Sequence, residues 1–283
     1  MADLFRAFFF KLRKDLTFRI TLIVGVGVAV LMMFLYMLMD GDGPHKMCTG
    51  NNLFVTSFNP SQNFGLSIPI NLITFTVLEF GSGIIRNKII AGNSKLKIYL
   101  SLYLTGLVFT LALLFAYVGF ATLLGTIIGG FNQNGFALLG LISSNYSSYL
   151  TPEFIYKFFI INIFVYASIT ALSIFFSTLF RNVGPCIPLC ILIPILLSTV
   201  LPMIAMVPEV KESLGEAPLY LNPFHVIGNP SLHPLYRHGE DWPYRYIYLI
   251  SDYEITITVI CNLVWTSILT GLGAFIFVKR DVR

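Results

Sequence analysis

Apolar residues in this chain do not alternate with polar ones; they come in long runs with almost no charge. A helix needs about 20 apolar residues to cross a bilayer core of about 30 Å. Runs of that order predict six spans, at 20–39, 64–80, 98–128, 158–180, 182–207 and 255–278, with Glu79 the one charged residue inside them. The uncharged stretch 98–152 is too long for one helix, and Gly129-Gly130-Phe131-Asn132-Gln133-Asn134 breaks it. The predicted fold class is therefore all-α and integral to a membrane, one domain over 1–283.

Two connecting segments carry patterns of their own. In 1–19, Phe5, Phe8, Phe9, Leu12 and Leu16 fall on one helical stripe, with Arg6, Lys11, Arg13 and Lys14 opposite and Phe10 out of register. That predicts an amphipathic helix lying on the membrane surface. Between spans two and three, the basic loop 81–97 holds a short glycine-flanked helix, with Ile85, Ile89 and Lys88 on one face. It reads either as a handle for a soluble partner or as a basic turn that fixes topology.

Composition narrows the class. Hydrophobic residues make up 56% and charged residues only 11%, against about 25% charged in a soluble domain. This excludes a soluble enzyme, a disordered chain and a nucleic-acid-binding domain. Placement of charge sets the expected direction. With both termini cytoplasmic, 13 of the 18 Lys and Arg lie inside, but only Asp3, Asp15, Glu79 and Asp281 of the 14 acids. The first run is too long for a signal peptide and lacks a small-x-small site, so it reads as an uncleaved anchor. Segment 208–254 then lies outside; its six prolines and six tyrosines predict an ordered capping loop.

Candidate chemistry is sparse. Glu79 is costly at membrane depth and predicts a structural ion pair, with Arg86, Lys11, Arg13 or Lys14 as partner. Pro185, Pro188, Pro194 and Pro202 predict kinks or a break in span five. His45, His225, His233 and His238 all fall outside, at spacings that match no metal site. Cys48, Cys186, Cys190 and Cys261 form no CxxC and read as free thiols. Asn145-Tyr146-Ser147 is a glycosylation sequon that matters only in a eukaryotic secretory pathway. GxxxxGK[ST], HExxH and GxSxG are absent. No catalytic residue is predicted, and any energy source lies elsewhere.

Glu79, then Gly83-Ile84-Ile85-Arg86-Asn87-Lys88-Ile89-Ile90-Ala91-Gly92, Ser94-Lys95 and Ile98-Tyr99-Leu100-Ser101 resemble the ABC-2 type permeases, the membrane subunits of bacterial ABC exporters. Members commonly read E-x-x-x-G-T-I-R-N-K; here Ile84 stands where Thr is usual. The resemblance implies an ABCG-like (type V) fold in which two permeases, identical or different, each dock on a separate ATPase. The loop helix 84–91 would be the coupling helix, with Ile84 at its start, Arg86, Asn87 and Lys88 touching the ATPase, and Ile85 and Ile89 in its groove. The N-terminal helix, with Lys11, Arg13 and Lys14, would be the connecting helix. Spans two and five would line the pathway, through Asn71, Thr74, Phe75, Leu78, Leu189, Ile193, Leu196 and Leu197. ATP and Mg would bind only the partner ATPase. Alternating access would move an amphipathic or lipophilic cargo (antimicrobial peptide, drug or lipid) outward across a bacterial plasma membrane. The rivals are an ATP-independent carrier or channel and a non-transporting sensor or assembly subunit.

Overall fold

The computed structural model describes residues 2–14, 16–39, 50–57, 67–131, 147–149, 152–205, 207–208, 245–247 and 252–280. Nine helices appear among them: α1 (Ala2–Lys14), α2 (Leu16–Met39), α3 (Gly50–Ser57), α4 (Ser67–Gly81), α5 (Ile84–Ile90), α6 (Lys95–Gly129), α7 (Pro152–Phe180), α8 (Val183–Ala205) and α9 (Asp252–Lys279). Two three-residue strands, β1 (Ser147–Tyr149) and β2 (Arg245–Ile247), pair in parallel. No period-2 pattern announced them; the pairing joins segments far apart in the chain. It is a small departure from a purely helical expectation.

Five helices, α2, α6, α7, α8 and α9, are long and apolar enough to cross a membrane. They match five of the six predicted spans to within a few residues. As described, α4 is 15 residues, about 22 Å at the usual helical rise. It reaches spanning length only together with α5, across a bend of 54°. The short helix α3 was not foreseen. It packs beside the far end of α6, where the Gly50 N–H donates to the Gly130 carbonyl at 3.0 Å. A side chain at Gly50 would collide with Thr126 and Phe131, so the approach requires glycine.

The most enclosed helix is α7. Its Ile161, Val165, Tyr166, Ala171 and Ile174 are buried, and so are Asn162, Ser168, Thr170, Ser173 and Ser177. The small polar side chains let neighbours approach and join them. Ser168 Oγ donates to Asn262 Oδ1 on α9 at 2.8 Å and lies 3.1 Å from Thr266 Oγ1. Thr170 Oγ1 donates to Thr110 Oγ1 on α6 at 2.9 Å. At Gly106 the helices α4, α6 and α7 meet, and a Cβ there would lie 2.9 Å from Ile174 Cδ1 and 3.1 Å from Leu72 Cδ1. Such contacts hold helices together where lipid removes the hydrophobic drive between them. Ser168→Ala is expected to cost about 0.6–2 kcal/mol, read as a lower unfolding midpoint in an SDS titration. An unchanged midpoint would remove the α7–α9 cluster from the list of stabilising contacts.

Phe109 joins three helices, its ring 5.3 Å from Phe18 on α2 and 6.5 Å from Phe75 on α4. Thr21 Oγ1 also ties α2 to α4, donating to Asn71 Oδ1 at 2.7 Å. Of the kinks or break expected in span five, the break is absent, since α8 runs without interruption from Val183 to Ala205. Pro185 stands in its first turn, where an amide N–H has no helical partner. Further along, apolar surroundings favour the helix over any conformation that exposes more backbone.

Candidate functional site: the basic end of the bundle

At one end the chain gathers the end of α4, all of α5, the start of α6, the link from α7 to α8, and the end of α9. The elbow between α4 and α5 is made by Gly81-Ser82-Gly83. Ser82 closes the end of α4, its N–H and Oγ both donating to the Leu78 carbonyl, at 2.9 and 2.7 Å. Gly83 takes φ +70°, a left-handed conformation that side chains resist. After α5, Gly92 does the same at φ +86°. Asn93 Nδ2 then donates to the Lys88 carbonyl at 3.0 Å, and Ser94 caps α6 by accepting from the Lys97 N–H. Both ends of α5 are thus held by backbone geometry.

This geometry changes the expected roles on α5. Ile85 is fully buried within this chain, and Ile89 is half-buried against the same core. Ile85 is not free to fill a partner's groove, because the elbow turns it inward, and Ile89 is only partly exposed. Ile84 is also half-buried. The exposed face is Arg86, Asn87 and Ile90, and Ile90 is 73% exposed. Lys88 is not a simple surface cation: its Nζ lies 2.8 Å from the centroid of the Phe8 ring on α1.

The stripe on α1 is also divided. Leu4 and Phe8 are buried in the chain's own core, while Phe9 and Phe10 remain exposed. Phe5 stacks on Phe9 at 6.0 Å, and Lys14 lies over Phe10 at 4.4 Å. One face of α1 therefore serves the protein and another stays exposed. The side chains of Lys11, Leu12 and Arg13 lie outside the described residues.

Glu79 is fully buried at the last turn of α4. The helix ends two residues later at Gly81 and the chain bends by 54° before α5, so Arg86 does not follow on the same face. Arg86 is exposed and makes no ion pair among the described residues.

Three further cations converge where α7 and α9 end. Lys95 Nζ donates to the carbonyls of Val278 and Arg280, at 3.0 and 3.1 Å. Arg280 Nη1 donates to the Leu179 carbonyl. The Arg181 guanidinium lies over the Phe80 ring at 5.4 Å, on a backbone with φ +51°. Burial, and then the nearby charge of Arg280, lower its affinity for its proton. Phe80 in turn meets Phe277 edge-on at 5.9 Å. Cations at helix C-termini complement the macrodipole. The positive-inside count found these residues; only the fold brings them to one place.

The expected pathway residues do not share one environment. Asn71 accepts from Thr21 and donates to the Ser67 carbonyl, and Thr74 bonds the Ile70 carbonyl. Phe75 is in the core against Phe109, whereas Leu78 is 55% exposed. On α8, Leu189, Ile193 and Leu197 pack partly against the core and Leu196 is exposed. Helices α4 and α8 are neighbours.

At the opposite end, Lys157 was missed. Its Nζ lies 2.6 Å from Glu153 and 2.6 Å from Asp252, joining the starts of α7 and α9. Glu153 at i−4 was visible in sequence; Asp252 was not. Among the described residues no group of His, Cys, Asp and Glu is placed to hold a metal. All four His residues, Cys48 and nearly all of 208–254 lie outside the described residues, as does the capping role expected of that segment. Compared with protein-family models and with curated proteins, the chain matches none.

Proposed function

We propose that this chain is the membrane-spanning permease subunit of an ATP-driven exporter. The observation that carries the reading is α5: a short helix held rigidly between two left-handed glycines, with Arg86, Asn87 and Ile90 turned outward. Such a face suits docking on a soluble partner. The inner face of the same helix is locked into the chain through Ile85 and the Lys88–Phe8 contact. A push on the outer face is therefore transmitted to α4 through the elbow and to α1 through Phe8. The proposed driver is a separate P-loop ATPase that carries ATP and Mg, and the chain itself performs no catalysis.

In this reading both termini are cytoplasmic and the membrane is a bacterial plasma membrane. A second permease, identical or different, completes the pathway beside α4 and α8. Phe- and Leu-rich surfaces with almost no charge suit an amphipathic or lipophilic cargo, such as a peptide, drug or lipid. A second reading, an ATP-independent carrier, draws on the fully buried Glu79 carboxylate.

A mild-detergent pull-down of the tagged chain from native membranes separates the two. The expected result is a P-loop ATPase at about one copy per permease. Arg86→Glu with Ile90→Asp changes only exposed side chains and leaves Lys88 on Phe8. It is expected to cut ATPase recovery at least about tenfold, a loss of about 1.4 kcal/mol in binding, with the melting transition unchanged. Full recovery by the variant would overturn the docking role of α5. Recovery of the chain alone, where a known ABC complex survives, would favour the carrier.

A further inference from the structure

We propose that the cations at the ends of α7 and α9 form a binding site for the headgroup of an anionic phospholipid, whose acyl chains lie along the exposed apolar face of α9. This inference is independent of the exporter reading. Lys95, Arg181 and Arg280 come from three separate segments and are drawn to one place by the carbonyls of Leu179, Val278 and Arg280 and by the Phe80 ring.

Charge balance favours an anion there. Among the described residues, the start of α6, the link from α7 to α8 and the end of α9 contribute Lys95, Lys97, Arg181, Lys279 and Arg280, against Glu79 at the end of α4. The helix C-termini of α7 and α9 offset about one more positive charge, at about half a charge each. A net charge of about +3 remains. Arg280 is close enough to disfavour the charge of Arg181, and an anion between them relieves that repulsion. Guanidinium groups hold phosphate through paired N–H donors.

The neighbouring surface fits acyl chains and not a free anion. Phe275, Val278 and Phe180 are exposed at the same end, with Leu272 and Ile268 continuing the face along α9. Lys279 Nζ lies 4.4 Å from the Phe275 ring, its stem lying along that apolar surface while its charge stays at headgroup level. Basic pockets at the headgroup level between membrane helices are known to select anionic lipids.

Native mass spectrometry of the full chain in detergent tests the site. The probes are phosphatidylglycerol and phosphatidylcholine with identical chains. Wild type is expected to retain phosphatidylglycerol at least about tenfold more strongly than phosphatidylcholine. At about 1 kcal/mol per basic residue near a lipid surface, removing one charge costs about fivefold and two about 30-fold. Arg181→Gln is therefore expected to weaken retention about fivefold, and Arg181→Gln with Arg280→Gln about 30-fold. Arg280→Lys is expected to keep most of the binding, and Arg86→Gln, out on α5, all of it.

Arg181→Gln leaves the Lys95 and Arg280 bonds in place, so it reads the site even if the double variant fails to fold. Equal retention of both lipids by wild type, or undiminished retention by Arg181→Gln, would overturn the proposal. So would displacement of phosphatidylglycerol by equimolar glycerol 3-phosphate, which would mark a site for free phosphate alone.

Discussion

Phe8→Ala is expected to free α1 from the bundle. Phe8 is among the largest fully buried side chains described, and it lies on a helix of only 13 residues. Such a helix is marginal without tertiary packing. Truncating a buried Phe to Ala costs about 3–5 kcal/mol in well-packed sites. The ring also carries the Lys88 ammonium, a contact worth about 0.5–2 kcal/mol. Only Leu4 would remain of the buried apolar contacts described on α1. The expected result is a clearly lower melting transition in detergent and faster tryptic cleavage at Arg6 and Lys14, with Phe8→Leu intermediate. If the tryptic pattern of Phe8→Ala matched wild type, α1 would not depend on this contact, and transmission from α5 to α1 would have to run elsewhere.

The second large effect is expected at Gly273 on α9. A Cβ there would overlap the Tyr99 hydroxyl and lie 2.8 Å from Cζ. Tyr99 is 1% exposed and its ring is fixed 5.9 Å from Phe277, so it has little room to retreat. In an ordinary helix Gly→Ala gains about 1 kcal/mol of propensity. Overpacking a close contact costs about 1–3 kcal/mol, and the loss is expected to win. Gly273→Ala should therefore lower the melting transition, where the same change at Gly271, which has open space, should raise it slightly. Tyr99→Phe removes the overlapping oxygen and is expected to restore part of the loss in the double variant. Independent, additive effects of the two changes would show that Tyr99 does not occupy the Gly273 notch in solution.

Much of the helical layout was legible because a bilayer leaves few choices. A run such as 255–278 must either bury its backbone polar groups in a helix or leave them unsatisfied in hydrocarbon, and α9 spans Asp252–Lys279. The short helix was legible too, since Gly83 and Gly92 flank the eight residues 84–91. Helix rotation was not legible. On an apolar helix every face looks alike, so periodicity cannot say that Ile85 turns inward and Ile90 outward. The same uniformity hid the division of α1, where Phe8 enters the core and Phe10 does not.

Contacts between distant residues were beyond the reach of spacing. Lys157 finds Asp252 across 95 positions, and Ser168 finds Asn262 across 94. Arg280 reaches Leu179 in the same way.

The amino-acid sequence alone determined a helical membrane body, the approximate bounds of its apolar helices, the glycine-flanked short helix and the excess of cations at one set of helix ends. These follow from local rules: hydrocarbon demands satisfied backbone groups, and glycine alone enters left-handed turns at no cost. The tertiary structure alone decided which side chains face inward, that Lys88 sits on Phe8, and that Lys95, Arg181 and Arg280 share one site. Those outcomes depend on how close-packed helices turn against each other, and small residues such as Gly106 and Gly273 set that approach through neighbours far away in the chain.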